Sequence, residues 1–305
     1  MPSFDELSPP ESEKILLIGN SGAGKTGSVI ALAALGLNVR ILDLDKGVAV
    51  IKGLVLDPDS PYRHDSGRAN ALLPGWTPVK GLWSEELGQS LPSRISYVTM
   101  TETMTAVNLP NRQIKAVPKG DLYARIVAQF DDWRDGEKSF GPITSWGPND
   151  VLVIDGLTRF SEAIFTQQLA IGGRLINRPE QSDYGNAQRE LRRALMTLYA
   201  EDIKCNVIMI CHIDFIETES GPTKGFSKVL VGKSFAPEVG TYFNHTLLVQ
   251  SIGQGAQERR VIKTNTSGMV ELKTAVPLRA KPEYPLPTGL AEYFKAIRGG
   301  RTSSP

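Results

Sequence analysis

Residues 14–36, KILLIGNSGAGKTGSVIALAALG, carry an apolar run up to a glycine, break it with a small-residue turn and a lysine, and resume it at helical spacing. KILLIG has the length and composition of a short buried strand, and the run from about Lys25 to Leu35, closed by Gly36, has those of a helix. A strand that passes to a helix through so short a turn makes a βα unit, and such units build parallel sheets covered by helices. The turn, Gly19-Asn20-Ser21-Gly22-Ala23-Gly24-Lys25-Thr26, fits G-x-x-x-x-G-K-[ST] in the strand-to-helix setting that the pattern requires. Glycines let consecutive backbone N–H groups turn inward around phosphate oxygens, and the following helix adds the positive end of its dipole. Gly19, Asn20, Ser21, Gly22, Ala23, Gly24, Lys25, Thr26 and Gly27 are therefore the expected nucleotide cradle. Lys25 is expected to reach the β- and γ-phosphates, and the Thr26 hydroxyl to ligate Mg²⁺.

The rest of the chain keeps the same rhythm. NVRILDLD (38–45), RISYVTM (94–100), VLVIDGL (151–157) and NVIMICH (206–212) read as buried strands, with DLYARIVAQFDDW (121–133) and NAQRELRRALMTLYAEDI (186–203) as helices between them. This predicts an α/β fold with a mostly parallel central sheet and helices on both faces. The runs TLLVQSI, RRVIKT and MVELKTAV within 246–276 predict an antiparallel C-terminal β extension on one edge, before a last helix over 288–298. At 305 residues and 41% hydrophobic, the chain suits one such domain with insertions. The expected division is a flexible N-terminal segment at 1–13, a single domain at 14–298 and a flexible tail at 299–305. The proline-, glycine- and serine-dense stretch 57–92 breaks the alternation and reads as an insertion or excursion.

A formal net charge of +1 gives no global case for nucleic acid, which local patches would have to carry. No apolar run reaches the roughly 18 residues needed to span a bilayer, and the acidic, proline-bearing start is unlike a secretory signal, so a cytoplasmic location and no membrane partner are expected. Cys205 and Cys211 flank NVIMI without metal-ligand spacing and read as buried thiols. Trp76, Trp83, Trp133 and Trp146 read as aromatics that pin loops onto the core rather than as base-stacking platforms.

A phosphate loop needs a carboxylate at the end of a neighbouring buried strand to hold its magnesium, and VLVID supplies Asp155. The same residue would also serve as a cap for the helix in GLTRFSEAIF. For the group that orients or deprotonates the attacking water, Asp43 and Asp45 end VRILDLD and strand alternation puts them on one side. Asp45 is favoured, being nearer the carboxyl end where ligands of open α/β sheets collect, and a solvated loop acid is an equal alternative. His212, ending NVIMICH, is either a γ-phosphate sensor or a structural histidine.

Taken in order, GNSGAGKT, ILDLD, VLVIDGL and VIMICH resemble the RecA-like ATPase core, and more narrowly the phage nucleotide-binding proteins that include single-strand annealing proteins with such a core. The resemblance covers roughly residues 14–275. It implies a RecA-like P-loop NTPase fold, ATP and Mg²⁺ as cofactors, a homo-oligomer, and action on single-stranded DNA in recombination or annealing, alongside a single-strand DNA-binding protein, in the host cytoplasm if phage-encoded. The family's usual catalytic acid is a glutamate two residues after an aspartate. Asp45 stands there, one methylene shorter, which implies slow hydrolysis or a differently positioned water. Where RecA itself has a glutamine, this chain has His212. In RecA-like proteins the loops after the fourth and fifth strands face nucleic acid. They correspond to 170–186, with Arg174 and Arg178, and to 216–240, with Lys224, Lys228 and Lys233 and with Phe226 as a stacking face. Lys233 has the alternative of reaching the nucleotide of a neighbouring subunit, and both stretches have the alternative of being plain solvated loops. The competing classes are a nucleotide-gated protein-binding or assembly module with weak hydrolysis, and a small-molecule kinase, which the lack of an arginine-rich lid disfavours.

Overall fold

The computed structural model describes residues 12–51, 94–108, 114–218, 221–254, 258–266 and 268–298. The stretch 57–92, with Trp76 and Trp83, and both termini expected to be flexible lie largely or wholly outside the described residues. The chain enters through β1 (Lys14–Gly19), and α1 (Lys25–Ser28) and α2 (Ile30–Ala34) follow as nearly one helix joined at Val29. Next come β2 (Asn38–Asp43), β3 (Ile95–Thr99) and a separate antiparallel hairpin of β4 (Met104–Asn108) and β5 (Ile114–Pro118). They are followed by α3 (Leu122–Asp131), the short pair β6 (Arg134–Asp135) and β7 (Lys138–Ser139), β8 (Asp150–Asp155), α4 (Leu157–Ile171) and α5 (Gln181–Tyr199). β9 (Asn206–Thr218), β10 (Gly221–Ser227), a 3₁₀ helix at Lys233–Tyr242, β11 (His245–Ile252), β12 (Arg259–Lys263), β13 (Glu283–Pro285) and α6 (Gly289–Arg298) complete the described elements.

The main sheet runs β13-β12-β11-β1-β9-β8-β2-β3, with β10 paired to β9 off this path. Its six central strands, β3, β2, β8, β9, β1 and β11, are parallel to their neighbours, while β12, β13 and β10 are antiparallel. This is the expected α/β architecture. Strand alternation divides β1 between two cores: Ile15 and Leu17 pack with Val29, α2 and α6, and Leu16 and Ile18 with α3, α4 and α5. Both faces are therefore covered, and the carboxyl ends of the parallel strands are left as the place where polar groups gather. Among the described residues no helix is long and apolar enough to cross a membrane.

Several expectations are corrected. TLLVQSI is not part of an antiparallel extension: β11 pairs parallel with β1, and its first five residues are buried. Only β12 and β13 form the antiparallel extension. Within 269–276 the chain makes isolated bridges from Val270 and Lys273 rather than a strand. NVIMICH does not end at His212, because β9 continues to Thr218 and turns back through β10 with Phe226 opposite Asp214 and Ser227 opposite Ile213. Most of 216–227 is thus hairpin rather than loop. The helix expected from residue 186 starts at Gln181, under a reciprocal capping box between Glu180 and Asp183, so only 172–180 link α4 to α5.

Candidate functional site: a phosphate loop backed by three acids

The register brings the site together. Gly19, which ends β1, lies opposite His212 within β9, and Asp155, which ends β8, lies opposite Asp43, which ends β2. Between β1 and α1 the chain turns through Gly24 at φ 100°, a left-handed conformation costly for any side chain, so the glycine of the motif is a backbone requirement. Lys25 is buried, and its Nζ donates to the carbonyls of Gly19 and Asn20, 2.8 Å each. Burial holds its pKa below the usual lysine range, against the pull of Asp155.

Thr26 Oγ1 donates to Asp155 Oδ2 at 2.8 Å, across 129 residues of sequence. Asp155 is 2% exposed. Burial, reinforced by Asp43 and Asp45, pushes its carboxyl up to about 6, although the Thr26 hydrogen bond opposes this. A hydroxyl and a buried carboxylate that share one point beside a phosphate loop fit a magnesium ion, which takes one or two protein oxygens and completes its shell with phosphate oxygens and water. Among the described residues no group of three or more His, Cys, Asp and Glu forms a self-sufficient metal site. The ion would thus depend on the nucleotide's own oxygens.

The alternation expected to pair Asp43 with Asp45 does not hold, because β2 ends at Asp43 and Asp45 lies in the turn beyond it. The two acids have separate tasks. Asp43 is 1% exposed and accepts the Gly47 amide at 2.7 Å and the Thr99 hydroxyl at 3.0 Å, which ties the 44–47 turn to β3. Asp45 points instead at His212 and Arg159: its Oδ2 is 3.7 Å from His212 Nε2 and its Oδ1 is 3.7 Å from Arg159 Nε. Burial raises the Asp45 pKa, countered by His212 and Arg159, and burial lowers that of His212, assisted by Lys25.

Gly47, Gly156, Arg159 and Thr99 form part of this site and are absent from the sequence-based candidates. A Cβ on Gly47 would sit 2.3 Å from Asp155 Oδ2 and 2.9 Å from Thr26 Oγ1, so the turn closes over their pair only without a side chain there. A Cβ on Gly156 would meet Asp45 Cγ at 2.9 Å. From the C-terminal extension, Leu286 and Arg260 approach the other side of the loop, 3.1 and 3.5 Å from where a Gly24 Cβ would lie.

Of the five basic residues assigned to nucleic acid, two have carboxylate partners within the chain and three are exposed. Arg174 is committed inside the chain: its Nε and Nη2 grip the two carboxylate oxygens of Asp183 at 2.8 and 2.5 Å. Lys224 Nζ donates to Glu271 Oε1 at 2.5 Å. Arg178, Lys228 and Lys233 are exposed. Phe226 is packed against the core and lines a cavity of about 310 Å³ with Leu16, Ile18, Thr246 and Leu272, so it is a wall rather than a free stacking face. Cys205 and Cys211 are buried free thiols, pushed by burial up to about 11 and about 12. Trp133 and Trp146 are buried and meet edge to face at 5.5 Å, as expected of core aromatics.

No family model and no curated protein matches the chain. Among solved structures it is similar to a KaiC-like protein of the hyperthermophilic archaeon Pyrococcus horikoshii, at 13% identity and TM-score 0.40, covering 95% of this chain and 94% of that one. It is also similar to a RadB recombinase, at 13% identity and TM-score 0.42, covering 92% of this chain and 90% of that one. Likenesses this weak say nothing of what this chain does. Its chemistry is read from its own residues.

Proposed function

We propose that the chain is a Mg²⁺-dependent ATPase of RecA-like type. The observation that carries the reading is the hydrogen bond from Thr26 of the phosphate loop to the buried Asp155, with Lys25 in the same loop. Loop amides would bind the phosphates and Lys25 would exchange its two carbonyl contacts for the β- and γ-phosphates. Thr26 and Asp155 would hold the magnesium, which would supply neutralisation of the phosphate charge when bound. Asp45 would receive the proton of the attacking water. As the water oxygen bonds to the γ-phosphorus, the bond to the β–γ bridging oxygen breaks and ADP leaves with the electron pair. His212, whose pKa burial and Lys25 hold below the ordinary histidine range, would donate one hydrogen bond to the γ-phosphate.

The finer part of the reading is action on single-stranded DNA in phage-type recombination or annealing, as a homo-oligomer. It is supported by the resemblance of the motifs and by exposed Lys228 and Lys233, which follow the β9–β10 hairpin on the strand that carries His212. Lys228 is joined to that strand directly, its amide donating to the His212 carbonyl at 2.8 Å. The alternative is a nucleotide-gated protein-binding module, which the internal pairing of Arg174 and Lys224 favours. ATP hydrolysis measured with and without single-stranded DNA at two salt concentrations separates them. A DNA-dependent rise that fades at higher salt supports the DNA role, and an unchanged rate at both concentrations supports the protein-binding module.

A further inference from the structure

Of the three acids around the phosphate loop, Asp45 alone has a carboxylate that accepts no direct hydrogen bond from the described residues, whereas Asp43 and Asp155 each accept at least one. It is nevertheless tightly placed. The carboxylate rests against Gly156, the N-cap of α4, which offers that helix no side-chain cap of its own. The acid therefore lies at the positive end of a fifteen-residue helix. His212 stands on one side and Arg159 on the other, each 3.7 Å from a different carboxylate oxygen. Arg159 is anchored in turn, because its Nη1 donates to Glu162 Oε2 at 2.6 Å within the same helix.

We propose that Arg159 is a positioning residue for Asp45: its guanidinium, fixed by Glu162, keeps the carboxylate turned beside His212 toward the attacking water. This rests on the ATP-hydrolysing reading above. Glu162, Arg159, Asp45 and His212 form a line of alternating partners from the surface of α4 to the middle of β9. Gly156 provides the space that lets the acid lie in it. The guanidinium acts on the acid and not on the ground-state nucleotide, whose phosphates have their own partners in the loop and Lys25. The charged and titratable groups facing Asp45 are Lys25 from α1, Asp43 from β2, Asp155 from β8, Arg159 from α4 and His212 from β9. Among them Arg159 and His212 are the two that most oppose the rise caused by burial.

The test is steady-state ATP hydrolysis by the full chain carrying Arg159→Ala, Arg159→Lys or Glu162→Gln. Arg159→Ala is expected to lower kcat about 10- to 100-fold, since small misplacements of a catalytic group are that costly, with KM for ATP within about twofold. Arg159→Lys should recover part of the loss, because the charge returns without the fork that Glu162 grips. The acid limb of the pH–rate profile should move to higher pH in Arg159→Ala, where the carboxylate loses a favourable charge, a shift that a merely structural residue would not cause. The Arg159 side chain is 57% exposed, so the fold should survive, as an unchanged thermal midpoint would verify. An Arg159→Ala protein with unaltered kcat and pH profile, or one in which KM alone rises, overturns the proposal. Absence of hydrolysis in the unaltered protein would remove the ATPase reading and this role together. Hydrolysis that is indifferent to Arg159 would remove only this role.

Discussion

Asp155 shows how one residue can be set against the stability of its own fold. Its carboxyl is raised from the ordinary 3.8 to about 6, chiefly by burial. Between those two values the folded chain keeps a proton that the unfolded chain has released, so the free energy of unfolding falls as pH rises through the window and stays low above it. Above pH 6 the buried charge costs the nucleotide-free protein about 3 kcal/mol, as an order of magnitude. Asp155→Asn, measured by urea unfolding at pH 8 without magnesium, should therefore be more stable by about 1–3 kcal/mol and lack the slope between pH 4 and 6. The same variant should lose Mg²⁺-dependent hydrolysis. At this scale the loop and Asp155 were legible because each carries a local signal, a glycine pattern or an acid that ends an apolar run. Gly47, Gly156 and Arg159 were not. Their roles arise from close approaches between β2, β8 and α4, which no local pattern records.

At the scale of elements, the link between α4 and α5 is built by Arg174 and Asp183 rather than left open for a ligand. Asp183 is buried, caps α5 through the Glu180 amide at 2.8 Å, and takes both ends of the Arg174 guanidinium. Arg174→Ala should lower the thermal midpoint by several degrees and leave any DNA-dependent rate unchanged. Lys228→Ala with Lys233→Ala should do the reverse, and a thermal melt beside a hydrolysis assay distinguishes them. The sequence suggests a basic loop because Arg174 and Arg178 stand out there, while the pairing of Arg174 with an acid nine positions further on does not. The β9–β10 hairpin was hidden for a related reason. β10, GPTKGFS, has the glycines and polar residues of a loop, and it becomes a strand through its pairing with β9. The parallel pairing of β11 with β1 is invisible in TLLVQSI because a buried strand's apolar run does not reveal its direction.

Across the whole molecule, the two ends of the parallel sheet hold different chemistry. At the carboxyl ends stand the acids and the lysine around the phosphate loop, Asp155, Asp45 and Lys25. At the amino ends stands a buried network with matched partners: His245 Nε2 lies 3.0 Å from Glu13 Oε2, and its Nδ1 lies 2.7 Å from the Tyr293 hydroxyl, tying β1 and β11 to α6. Asn206, at the start of β9, accepts the Glu13 amide at 3.0 Å and donates to the carbonyls of Pro148 and Asp150. The two histidines should therefore respond oppositely. His245→Ala is expected to cost about 1–3 kcal/mol by leaving buried polar groups unmatched, with kcat intact in the folded protein. His212→Ala should keep the unfolding midpoint and lower kcat, and the pair is checked by denaturant titration beside initial rates.

The most direct measurement is phosphate release from ATP by the intact protein, with magnesium and with excess chelator, run beside Lys25→Ala under the same conditions. The account predicts release that requires magnesium and is abolished by Lys25→Ala. Release that continues unchanged without the metal or without the lysine, or no release and no retained nucleotide under any of these conditions, would contradict it.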